Sequence, residues 1–330
     1  MRALRLPALA ALFLFLALPF ALQSQAVGSP DAAGITLVLS PTTPPAHGIV
    51  EAQLRSLEAN LAASRIVWTV NGKAFASGNG LLRIEVPTGP AGAVLDIAAL
   101  VRLPDGREAR ILRELRIADA DILWSADTSA PPLYAGKRLA SPRSPVYIAA
   151  LPLVFNENGG ALGARDLVFQ WTLDDEPLRS SSGRGKDAFL LQADTVSGVA
   201  HRVLVEVSAV GGAVLARAKA EIPVRQPEVV FYEEHPLLGP RTNRALEAPS
   251  IPPTEELDIR AFPLFFALPP NQLLYTWEIN GRRVEQKTGQ SILSFRPAPD
   301  DGGEFAIRAS VEGATQRAAA GMLLRVTKPE

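Results

Sequence analysis

The chain alternates. Apolar and polar residues trade places with a period of two in "ITLVLSP" from Ile35, "GIVEAQLRSL" from Gly48 and "IVWTVNG" from Ile66. The same rhythm returns in "DILWSAD", "SPVYIAALPLVF" and "FQWTLDD", and again in "EVVFYEE", "ELDIRAFPLFF" and "YTWEING". Period two is the signature of strands with one face buried. Each set continues with a further strand, "LLRIEV", "AFLLQA" or "SILSFRP", and then with two long ones. These are "AVLDIAALV" and "REARILRELRI", "HRVLVEVSAV" and "AVLARAKAEIPV", "EFAIRASV" and "AAAGMLLRVT". The spacing predicts six or seven strands per set, with turns every 8 to 12 residues as in a β-sandwich.

Three tryptophans fix the period. Trp68, Trp171 and Trp277 are separated by 103 and 106 residues, the length of one immunoglobulin-like domain. In a strand, residues two apart share a face, so Trp68 with Val70, Trp171 with Leu173 and Trp277 with Ile279 point into a core, while Thr69, Thr172 and Glu278 face water. Asn71-Gly72 and Asn280-Gly281 follow directly and suit a type I′ hairpin, which needs positive φ at both central residues. Asp174-Asp175, in the same place, is the poorer turn. The fold class is therefore all-β, a tandem array of three immunoglobulin-like sandwiches, with boundaries at residues 30–118, 119–225 and 226–330. One segment reads two ways: "VEAQLRSLEANLAASRI" carries Leu54, Leu57 and Leu61 at helical spacing, although alignment of the repeats favours a strand over 50–57 followed by a short helical turn over 56–62.

The amino terminus breaks the rhythm. Arg2 and Arg5 precede an unbroken apolar run over residues 6–22, and Ser24-Gln25-Ala26 offers the small residues that a signal peptidase reads. The expectation is a signal peptide over residues 1–26, cut after Ala26, and an exported protein: extracellular, at the cell surface or periplasmic. An uncleaved amino-terminal anchor is the alternative, with Pro7 and Pro19 against it.

Composition narrows the partners. Of 330 residues, 33 are Lys or Arg and 34 Asp or Glu, so no basic field exists to hold nucleic acid, and membrane contact would come through an uncleaved amino-terminal segment. The chain has no cysteine, which excludes disulfides, a lipid-modified cysteine and thiolate chemistry. Each sandwich must hold by packing alone.

Chemistry is sparse. His47, His201 and His235 fall one per repeat at non-equivalent positions, and no G-x-S-x-G, H-E-x-x-H or phosphate-loop motif occurs. The expectation is no enzyme activity, cofactor or metal. Acidic turns at Asp119, Asp121 and Asp127 and at Asp300, Asp301 and Glu304 are the places where calcium could sit, but neither has a recognised ligand spacing. One constellation stands out. Trp124, Asp127, Tyr134, Lys137 and Arg138 follow the opening strand of repeat two, and Tyr232, Glu233, Glu234, His235, Arg241, Asn243 and Arg244 hold equivalent places in repeat three. They fit either a recognition edge rich in Tyr, Trp and Arg or a proline-rich crossing that fixes the angle between neighbouring domains.

The segments "IVWTVNG", "FQWTLDD" and "YTWEING" resemble the tryptophan strand of bacterial immunoglobulin-like and PKD-like domains, without the Gly-Asp-Gly turn usual in the latter. The crossing segments are similar to those of uncharacterised exported surface proteins of small-genome bacteria. That resemblance implies a structural spacer or protein-interaction module of the cell envelope, with other envelope or surface proteins, pilus components among them, as partners. A carbohydrate-binding adhesin is the alternative function.

Overall fold

The structure is a computed structural model that describes residues 34–132, 134–285 and 290–327. The expected signal peptide lies outside the described residues. Among the described residues, six mainly antiparallel sheets fall into three successive pairs, one pair to each repeat. In repeat one, Ile35–Ser40, Ile49–Ser56 and Arg83–Pro87 form one sheet, and Lys73–Asn79, Arg65–Val70, Val94–Arg102 and Glu108–Arg116 form the other. The later pairs keep this order. The protein is a tandem array of immunoglobulin-like β-sandwiches.

The chain gathers into two compact units. One comprises most of repeat one, the described residues 34–42 with Glu51–Val86 and Asp96–Arg113. The other holds Thr43–Val50, Pro87–Leu95 and the described residues from Glu114 onward, so repeats two and three lie in one unit. Between repeats two and three the chain runs from strand Val214–Pro223 to strand Glu228–His235.

The tryptophans anchor the cores. Trp68, Trp171 and Trp277 are all fully buried, and each indole N–H donates to a backbone carbonyl on the far sheet's approach: Leu81 at 2.9 Å, Lys186 at 2.9 Å and Gln290 at 3.1 Å. A buried Trp needs such a partner. Phe189 meets the Trp171 ring edge-on at 4.9 Å, and Phe231 stacks on Trp277 at 5.7 Å. These contacts stand where a bridged sandwich would put its disulfide.

The turns after the tryptophans are alike in all three repeats, including the one read as the poorer. Asn71, Asp174 and Asn280 have φ of 50°, 50° and 49°, and the next residues are also left-handed. Each first residue reaches across to cap a neighbouring strand: its side-chain oxygen accepts from Asp96 N, Arg202 N or Ala306 N, at 2.8 Å in every case. Aspartate serves there because the short carboxylate tolerates the left-handed region and accepts the same bond. The ambiguous stretch of repeat one is a strand, Ile49–Ser56, followed by a single 3₁₀ turn at Leu61–Ala63. Strand pairing outweighed the helical spacing because Val50, Ala52 and Leu54 share one buried face.

In repeats two and three the opening strand leaves its sheet, and the chain then returns beside the last strand of the other. Ala140 bridges Val224 in parallel, and Ser250–Ile251 pairs in parallel with Arg325 and Val326. The residues between, 127–139 and 236–249, are the two crossing segments. They carry most of the singled-out residues.

Candidate interaction surface

The crossing segment of repeat two lies against repeat three. Its Ser129 makes four hydrogen bonds there. The backbone N–H donates to Phe266 O at 2.8 Å, and the carbonyl accepts from Phe265 N at 2.8 Å. Its hydroxyl donates to Pro263 O at 2.8 Å and accepts from Phe266 N at 3.0 Å. Phe265 is held at φ 62°, rare for a bulky side chain, and its ring meets Tyr134 edge-on at 6.2 Å. A second clasp comes from Gln316, which is buried. Its amide donates to Ser141 Oγ and to Pro142 O, both at 2.8 Å, while its carbonyl accepts from Ala267 N at 2.7 Å.

The singled-out residues divide into five groups. Tyr134 and Arg138 line a cavity of about 360 Å³ at this joint, together with Ala130, Pro131 and Phe262 of the opposite repeat. Tyr232 is buried on the outer face of the receiving sheet, and that burial pushes its hydroxyl pKa up. Lys137 sits 3.3 Å from the centre of the Trp124 ring, a cation–π contact inside repeat two, and partial burial lowers its pKa. Asp127 takes part through its backbone N–H, which donates to Pro145 O at 2.8 Å.

The rest of the set stays within repeat three. Glu234 is paired with Arg260, and Glu233 with Arg241 at 2.9 Å. The Arg260 guanidinium is pushed up chiefly by its hydrogen bond to Glu234. His235 Nδ1 accepts from both Leu237 N and Leu238 N, at 3.1 and 3.2 Å, which closes the turn at the tip of the second crossing segment. Glu233, Arg241, Asn243 and Arg244 line a groove of about 840 Å³ whose lining includes no aromatic ring. Thr242, in the same segment, reaches the crossing segment of repeat two, where its hydroxyl donates to Pro132 O at 3.4 Å.

Sequence reading missed Ser129, Gln316 and the pair Phe265-Phe266. The partners of Ser129, and those of Gln316 in the opposite repeat, are more than 130 residues away, so no local pattern reveals them. The two adjacent phenylalanines did offer a signal, since neighbours in a strand cannot both enter one core.

A buried histidine was missed as well. His201 Nδ1 lies 2.7 Å from Asp174 Oδ2, and its Nε2 accepts from Asp194 N at 3.1 Å. Both ring nitrogens are committed to structure, with no hydroxyl nucleophile on either. Burial alone would push the Asp174 carboxyl up, but hydrogen bonds from His201 and Arg202 N bring it below the usual carboxylate range. The folded form thus binds this proton less readily than the unfolded chain, so its contribution to stability is present above pH ~4 and lost as pH falls through the folded value. Asp174→Asn should narrow its stability gap from the parent protein below pH 4 in acid titrations followed by circular dichroism. A gap that is the same at pH 3 and pH 7 would contradict the linkage.

The acidic turns are engaged locally. Asp119 and Asp121 each accept from the following backbone N–H, Asp301 from Ala298 N, and Glu304 pairs with Arg325 at 2.7 Å. Among the described residues no group of three or more His, Asp or Glu side chains is placed to hold a metal ion, and no helix is long and apolar enough to cross a membrane.

No known family model and no curated protein matches the chain. Among solved structures it is similar to the central fibronectin-III array of RIM-binding protein, with 14% identity over 91% of this chain and 100% of that one, at a TM-score of 0.31. The fibronectin(III)-like modules of Clostridium thermocellum CbhA give 14% identity, 58% and 94% coverage and a TM-score of 0.28. A Bacteroides ovatus surface protein of a mixed-linkage glucan utilization locus, solved with a heptasaccharide, gives 11%, 88% and 67%, and 0.26. At these scores the fold rests on the protein's own strand pairing.

Proposed function

We propose that the protein is a non-enzymatic, exported structural module of the cell envelope or a surface appendage, of the bacterial immunoglobulin-like kind, in which repeats two and three act as one rigid spacer. The observation that carries this reading is the joint, where one serine and one buried glutamine lock the two sandwiches through backbone groups. Hydrogen bonds to buried backbone groups are costly to break, so such a joint resists bending. His201 supports the absence of catalysis, because its two nitrogens are already engaged. Partners would be other envelope or surface proteins, including pilus components. The aromatic-free groove gives no specific support to a carbohydrate-binding adhesin, since sugar platforms are built on exposed rings.

Two measurements test the reading. Fractionation of the producing cells should place the chain outside the cytoplasm, beginning at Val27, and a cytoplasmic chain that keeps Met1 would overturn export. The melting temperature should be the same in EDTA as in calcium. A calcium-dependent rise of several degrees would give the acidic turns a ligating role and replace the packed joint with an ion-stiffened array.

A further inference from the structure

The face that receives the crossing segment in repeat three has an uncovered counterpart in repeat two. Alignment of the inward pairs Ile122↔Ala150 and Phe231↔Ala261 makes Leu123, Leu151 and Leu153 equivalent to Tyr232, Phe262 and Leu264. In repeat three these positions lie beneath or beside the arriving segment, and Tyr232 and Leu264 are 9% and 8% exposed. In repeat two, Leu123, Leu151 and Leu153 are 55%, 49% and 55% exposed, with Tyr147 on the same face at 58%. Three leucines and a tyrosine on one outer sheet face make an apolar patch of the kind that marks a contact.

The tip of the matching segment is also bare, although Thr242 further along it donates to Pro132 O at 3.4 Å. Residues 236–249 of repeat three correspond to 127–139 of repeat two, since both leave the opening strand and return in parallel beside the last strand. Their tip holds Leu237 and Leu238, 88% and 79% exposed, with their backbone N–H groups already satisfied by His235. We infer that the leucine tip of one copy seats on the Leu123–Leu151–Leu153 face of a second copy, reproducing between molecules the joint that repeats two and three make within one. The charges agree. Strand register places Asp119 and Asp121 beside Leu153 and Leu151, and among the described residues neither has a cationic partner, while the crossing segment carries exposed Arg244. A two-leucine tip against four side chains is a small contact, of the transient class below about 1,200 Å², so association is expected at high protein concentration and not as an obligate assembly.

The absence of cysteine makes the test direct. Leu238→Cys and Leu151→Cys chains, mixed and oxidised, should give a covalent pair joining one of each. In sedimentation, Leu237→Asp with Leu238→Asp, or Leu151→Asp alone, should weaken self-association at least tenfold while circular dichroism is unchanged. A parent protein that stays monomeric at the highest soluble concentration would overturn the inference. So would association indifferent to these changes, or cross-linking confined to Leu151→Cys with itself, which would mean face-to-face packing.

Discussion

Trp171→Ala is expected to cost about 3 to 5 kcal/mol, enough to unfold repeat two at moderate temperature. The indole is 1% exposed, packs edge-on against Phe189 and donates to Lys186 O, so truncation leaves a large cavity and an orphaned carbonyl together. The core around it is built from Ile148, Phe169, Val203, Val205 and Val207, β-branched and aromatic side chains that cannot collapse far into the space. No disulfide limits the loss. Calorimetry should show the repeat-two transition lowered by ten degrees or more, and an unchanged transition would mean that the strand faces are inverted.

Gln316→Ala combined with Ser129→Ala is expected to have the second largest effect, and of another kind. Together they strip partners from Ser141 Oγ, Pro142 O, Ala267 N, Pro263 O and Phe266 N, each part-buried or buried. At about 1 to 3 kcal/mol for each group left without a partner, less whatever water recovers, the joint loses several kcal/mol. Neither residue belongs to a sandwich core. The two domains should therefore stay folded while their mutual orientation spreads, and scattering should show the broader distribution of distances with the far-ultraviolet spectrum intact. Loss of secondary structure instead would show that the clasp is part of the fold itself.

The contrast between these two variants follows what could be read from the sequence. The cores were legible because each rests on local rules. Period two put Trp68, Trp171 and Trp277 inward, and Asn-Gly or Asp-Asp fixed the turn that follows them. The crossing segments were legible as proline-bearing interruptions near the boundaries. What they touch was not, because Ser129 and Gln316 act through contacts between distant parts of the chain, and a serine in a loop looks the same whether or not a carbonyl awaits it. Tyr134 meets Phe265 edge-on, and Tyr232 is buried on the outer face of the receiving sheet. Arg244, singled out on the same positional ground, lines a groove built from residues of its own repeat, and no local pattern in the sequence marks that difference.

The rigid spacer formed by repeats two and three is tested most directly by a distance distribution. Spin labels at Lys219→Cys and Arg308→Cys sit on exposed strand positions, one in each repeat, in a chain with no other cysteine. Electron–electron double resonance should give a single narrow distance in the parent protein and a broad one once Gln316 and Ser129 are replaced. A broad distribution in the parent would contradict the account.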